Sequence, residues 1–130
     1  MLDVEIIGAE GVVAAPPVAE VERLVALALA SAGVEDGHVA IEYVDAERIA
    51  ALNTEHRAKD GPTDVLSFPI DGADAELPAG TRELGDVVIC PEHTTDLREA
   101  IVHGTLHLVG MDHETDAGEM LALQAEILSW

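Results

Sequence analysis

The sequence predicts an α+β fold: one compact domain in which helices pack on a mixed four-stranded sheet. Three observations point there. Four short runs carry the alternation or β-branched density of strands. Segments with helical spacing of apolar residues separate some of these runs but not all, so strict βαβ alternation is absent. No repeat, low-complexity tract or linker divides the 130 residues, and that length suits a single core.

The elements follow in order. "LDVEII" (2–7) alternates and reads as a strand. Pro16-Pro17 opens a helix expected to run to about Ala32, with Gly33 as its stop. "HVAIEYV" (38–44) is a second strand. Asp45 can cap a helix through about Glu55 that buries Ile49 and Leu52. "TDVLSFPI" (63–70) is a third strand, and Pro69 puts its end at an edge or bulge. "DGADAELPAGTRE" (71–83) is a polar loop, and "LGDVVIC" (84–90) is a fourth strand. Asp96 with Glu99 makes a capping pair for the next helix, and Gly110 supplies its left-handed stop. Asp116 with Glu119 repeats the pattern before a last helix with Met120, Leu123, Ile127 and Trp130 on one stripe.

Composition narrows the function. Six Lys+Arg face 26 Asp+Glu, a formal net charge of −20. Such a field favours solubility and repels polyanions at long range. Tyr43, Phe68 and Trp130 are the only aromatics, too few for a base-stacking platform. No apolar run approaches membrane-spanning length, and the acidic N-terminus lacks the positive region of a signal peptide. Cys90 is the one cysteine and reads as a buried strand-end thiol. These features predict a cytoplasmic protein without membrane association.

The chemistry-bearing stretch is "HGTLHLVGMDH". His103 and His107, four apart on a helix, share a face with Cβ atoms ~5–6 Å apart. Leu97, Ile101, Gly104 and Leu108 form the neighbouring, sheet-facing side. Gly104 costs ~1 kcal/mol within a helix, and close approach to a strand would account for it. Gly110 lets the chain turn so that His113 can swing back. Three neutral imidazoles fill three corners of a tetrahedron and leave the fourth to water or substrate, the pattern of a catalytic zinc site. A histidine pair alone is common on solvated helix faces; the third histidine and the glycine make the spacing specific. His38, His56 and His93 lack such spacing, and exposed or core roles are expected for them. The same frame occurs in zinc proteases of the metzincin type, where a glutamate base follows the first histidine. Here Gly104 stands at that position.

Together with "LNTEHRAKDGPTDVLSFP" and "LGDVVICPE", this stretch closely resembles the bacterial YbeY family of rRNA maturation endoribonucleases, in order from about Leu52 to Glu126. The resemblance implies a zincin-like fold, one zinc ion per chain and a metal-dependent, single-strand-specific endoribonuclease. It further implies small-subunit RNA 3′-end processing and ribosome quality control, with ribosomal RNA and the small subunit and its proteins as partners. His103, His107 and His113 fall on the family's metal ligands, and Arg57 on its catalytic arginine. A guanidinium can hold two phosphate oxygens at once, which suits that role. Lys59 would add attraction to RNA. Asp112 is a candidate to orient a ligand histidine, as are Asp64, Ser67 and Asp86, although turns or caps are expected for Asp64 and Asp86. Leu66 and Phe68 are expected in the core. The chain departs from the family at His56, Ala58 and Met111, and its 91–103 segment is short. A divalent ion with Arg57, Lys59 and Arg82 would make one positive cleft in a negative protein. The alternatives are a zinc peptidase and a non-catalytic ribosome assembly factor with a structural zinc.

Overall fold

The computed structural model describes residues 2–13, 15–57, 61–70, 83–111 and 117–129. Four strands and four α-helices follow in the order β1 (Leu2–Ile7), α1 (Val18–Ala30), β2 (Gly37–Tyr43), α2 (Ala46–Arg57), β3 (Val65–Pro69), β4 (Glu83–Ile89), α3 (Leu97–Leu108) and α4 (Glu119–Leu128). A short 3-10 turn, Pro91–His93, lies between β4 and α3; nothing in the sequence pattern announced it. The sheet order is β1-β2-β4-β3. β1, β2 and β4 run parallel, and β3 pairs antiparallel with β4. The sheet is therefore mixed, as expected, and β3 is an edge strand ending at Pro69, where a residue without an N–H does least harm.

Side-chain alternation decides which face each strand buries. In β1, Val4 and Ile6 turn inward while Asp3 and Glu5 turn outward. The inner face carries Val39, Ile41, Val87 and Ile89 and packs against α1 and α3, and α4 packs on those two helices. In α1 the stripe Val21, Leu24, Val25, Ala28, Leu29 is fully buried, the i, i+3, i+4, i+7, i+8 pattern of one helix face. Each of its Val and Leu side chains contributes about 1.5–3 kcal/mol relative to exposure. The other sheet face is covered by α2 over β3 and β4, where Ile49, Leu52, Leu66, Val88 and Cys90 form a second cluster. Asp45 caps α2 as expected, its Oδ1 accepting from Arg48 N at 2.8 Å. Cys90 is buried just beyond β4. Among the described residues no helix is long and apolar enough to cross a membrane.

One expected cap is corrected. Asp116 is not the residue that starts α4; Gly118 is, with φ of +102°, and the Glu119 carboxylate accepts from Ala117 N at 2.7 Å. The Asp-x-x-Glu pattern is local, and a glycine two residues on offered the chain an easier left-handed entry.

His38 has a role the spacing did not suggest. On β2 it bridges both neighbouring strands: Nδ1 lies 2.7 and 2.9 Å from the Glu83 carboxylate oxygens, and Nε2 lies 3.1 Å from Glu5 Oε1. Both ring nitrogens face carboxylates, an arrangement that favours the protonated ring. The Glu83 hydrogen bond, opposed by partial burial and helped by Glu5 and Asp3, raises its pKa above the ordinary 6.5. His38 therefore keeps its proton in the fold at pH values where the unfolded chain has lost it. The bridge stabilises fully below about pH 6.5 and is lost as pH rises through the raised folded value. In urea titrations from about pH 6 to about pH 9, wild-type stability should fall by about 1 kcal/mol or less, and His38→Gln should lack that slope. A variant with the wild-type slope would locate the pH dependence elsewhere.

Candidate metal centre

The centre is built on α3. Asp96 caps this helix, its side chain accepting from Arg98 N at 3.0 Å and Glu99 N at 3.2 Å. Ile101, Gly104 and Leu108 face the sheet, as their spacing predicts. Gly104 explains how close the helix comes: a Cβ there would lie 2.4 Å from Val87 Cγ1 and 3.2 Å from both Ser67 Oγ and Val65 Cγ2. Ser67 Oγ also donates to the Gly104 carbonyl at 2.8 Å, tying α3 to the edge strand. Gly104→Ala should therefore destabilise by about 1–3 kcal/mol, since overpacking against a stiff buried valine outweighs the gain in helix propensity. A raised urea midpoint in that variant would contradict the packing. Position 104 carries no carboxylate, so the proton acceptor that the peptidase alternative needs after the first histidine is missing there.

His103 and His107 stand half-buried on the neighbouring face of the helix. Their Nε2 atoms are 3.2 Å apart, with ring centroids 4.7 Å apart and planes at 77°. The His103 Nδ1 lies 2.8 Å from Gln124 Oε1 on α4. A carboxamide oxygen only accepts, so Nδ1 carries the proton and Nε2 presents its lone pair toward His107. Two nitrogens on neighbouring tetrahedral corners at about 2.0–2.1 Å from zinc sit about 3.3 Å apart, close to the separation found. The pair fits a shared cation of that kind.

After Leu108 the helix ends in a Schellman motif. Met111 N donates to Leu106 O at 3.2 Å and Gly110 N to His107 O at 3.0 Å, with Gly110 at φ +93°. The expected left-handed stop is thus in place, and it holds the last turn carrying His107. Asp112 and His113 lie outside the described residues, as do Lys59 and Arg82. Arg57 is the last residue of α2, and its side chain lies outside them too. Among the described residues no group of three or more His, Cys, Asp or Glu converges on a metal position; two of the three expected ligands do converge.

The other candidates separate. Asp64 serves the entry to β3, its Oδ1 accepting from Val65 N at 2.8 Å and Thr63 Oγ1 at 3.2 Å. Ser67 engages Gly104 rather than a histidine. Asp86 is not a turn residue: it sits within β4 opposite Phe68 and Ala40, where burial first, and then Glu83 and Glu5, raise its pKa against an opposing effect of His38. Leu66 is buried, and Phe68 packs half-buried against the exposed His56, ring centroids 5.0 Å apart. Gln124 escaped the sequence reading. Its signal was a polar residue four after Met120 and three before Ile127, within the inward stripe of α4.

Comparison with known proteins agrees with this architecture. The family model described as Endoribonuclease YbeY matches residues 15–130. An Endoribonuclease YbeY of Acinetobacter baylyi is 46% identical over an alignment covering 72% of this chain and 69% of that protein. One from Macrococcus caseolyticus is 35% identical, covering 99% of this chain and 95% of the relative. The solution structure of TM1509 from Thermotoga maritima superposes with a TM-score of 0.54 at 24% identity, covering 97% of this chain and 87% of the other, which is a likeness of fold.

Proposed function

The chain belongs to the YbeY endoribonuclease family, and from that premise we propose that it is a metal-dependent, single-strand-specific endoribonuclease acting in rRNA maturation. The small-subunit RNA 3′ end is the proposed processing site, ribosome quality control the wider task, and the cytoplasm the place of action. One observation carries the reading: the 3.2 Å approach of two imidazole Nε2 atoms, with the far side of one ring held by Gln124. In this proposal His103, His107 and His113 hold one zinc ion. When bound, the ion supplies a Lewis acid for a phosphoryl oxygen and lowers the pKa of water.

The chain's own residues do the rest. Gln124 accepts from the His103 Nδ1 and so orients Nε2 toward the proposed ion. The Schellman turn at Gly110 sets the direction in which the chain leaves His107 toward His113. Arg57, ending α2, is the candidate to clamp two phosphate oxygens and steady charge at phosphorus. Lys59 adds attraction without geometric precision. A local positive cleft is needed because the whole chain carries −20. The proposed partners are therefore ribosomal RNA together with the small subunit and its proteins, since distant acids weaken binding to naked RNA.

Elemental analysis beside RNA cleavage tests the proposal. Purified protein should hold about one zinc per chain and cut single-stranded ribosomal RNA fragments but not their duplexes; chelation should remove cutting and zinc restore it. Metal-loaded protein that cuts no RNA would overturn it.

A further inference from the structure

A cleft of about 170 Å³ opens against the His103 ring, between the Pro91–His93 turn, the first half of α3 and α4. It has room for roughly five or six waters, the scale of one planar heterocycle. Two of its polar groups are unspent. Gln124 is only 8% exposed, and its Oε1 is taken by His103. The fully occluded, unpartnered side-chain polar atoms among the described residues are Tyr43 Oη and Asn53 Oδ1. Gln124 lines the cleft, and with its Oε1 on His103 its amide nitrogen has no hydrogen-bond partner among the described residues. Glu99, one turn before His103 on the same helix face, brings a carboxylate with no hydrogen-bond partner among the described residues. Asp64 and Asp96 stand in the same wall, so a phosphate is disfavoured there, while Leu121, 48% exposed, offers an apolar surface.

We infer that this cleft is a single-nucleotide subsite selecting guanine beside the scissile phosphate, an inference that rests on the endoribonuclease reading. The Watson–Crick edge of guanine presents one acceptor, O6, and then two adjacent donors, N1–H and N2–H. The Gln124 amide donates to the first, and the Glu99 carboxylate accepts from the other two. Adenine and cytosine offer a carboxylate one donor beside a repelling lone pair. Uracil offers one N–H between two acceptors. Unstacked single-stranded bases are read along this edge, and guanine's paired donors suit a negative cleft best.

Titration with the four ribonucleoside 5′-monophosphates, followed by amide NMR shifts, tests the subsite without needing catalysis. Guanosine monophosphate should bind about tenfold or more tightly than the others, the discrimination of one bidentate pair, with shifts at Glu99, His103 and Gln124. In Glu99→Gln that preference should fall to within about threefold. Equal binding of all four, or a preference that survives Glu99→Gln, overturns the inference. So does Mn²⁺ that occupies the cleft and is not displaced by the nucleotide. Single-stranded oligoribonucleotides with one guanine should be cut beside it, and inosine in its place should weaken the preference. Cleavage indifferent to base overturns the subsite and leaves the endoribonuclease reading intact. No cleavage of any oligonucleotide overturns that reading, and the titration alone then decides the subsite.

Discussion

His107→Ala is expected to lose both bound metal and RNA cleavage while keeping its fold. His107 is half-buried in the last turn of α3, and the helix is held to the sheet by Ile101 and Leu108 and by the close approach at Gly104. Truncating the ring leaves that packing in place, as it leaves the His103–Gln124 hydrogen bond on the far side. What disappears is the nitrogen 3.2 Å from His103 Nε2. A site reduced from three protein ligands to two no longer holds zinc against water at working concentrations, and the Lewis acid goes with it. Cleavage should fall by about 10³-fold or more, the scale of a lost electrostatic device in the transition state. Elemental analysis, far-UV circular dichroism and a single-stranded RNA assay on one preparation check this. A folded, metal-free variant that still cuts RNA would remove the histidines from the chemistry.

Arg57→Ala should separate binding of metal from catalysis. The variant is expected to retain about one zinc per chain and to lose about 10²–10³-fold in kcat, the range seen when one donor to a developing oxyanion is removed. Arg57→Lys should recover little, because an ammonium cannot reproduce the two-point grip of a guanidinium on phosphate. Position 57 closes α2, a helix anchored on the sheet by Ile49 and Leu52, so stability should change little. Cleavage retained at wild-type rate would leave Arg57 as an ordinary surface cation.

Much of this architecture was legible because its causes are local. The β1 alternation, the α1 stripe, the Asp45 and Asp96 caps and the Gly110 stop each depend on residues within a few positions of one another. The histidine pair is of the same kind, since helical spacing alone brings residues 103 and 107 together. The family resemblance seen in three ordered motifs agrees with the family match over residues 15–130. Where the cause was distant, the reading missed. Asp86 was expected to serve a turn or cap at the start of the fourth strand, yet pairing of β4 with both β2 and β3 holds it in mid-ladder. His38 had no partner within reach in sequence; its carboxylates come from 33 and 45 residues away. Gln124 lies 21 residues beyond the histidine it orients.

The sequence by itself determined where helices and strands run, which side of α3 carries imidazoles, and that position 104 had to be small. Tertiary packing decided what that smallness was for, which nitrogen of His103 faces Gln124, and which outward acids gained a histidine between them. Periodicity and capping are properties of a short stretch of backbone. A tautomer, a raised pKa or a cleft depends on groups that meet only after the chain has paid the entropy of bringing distant segments together.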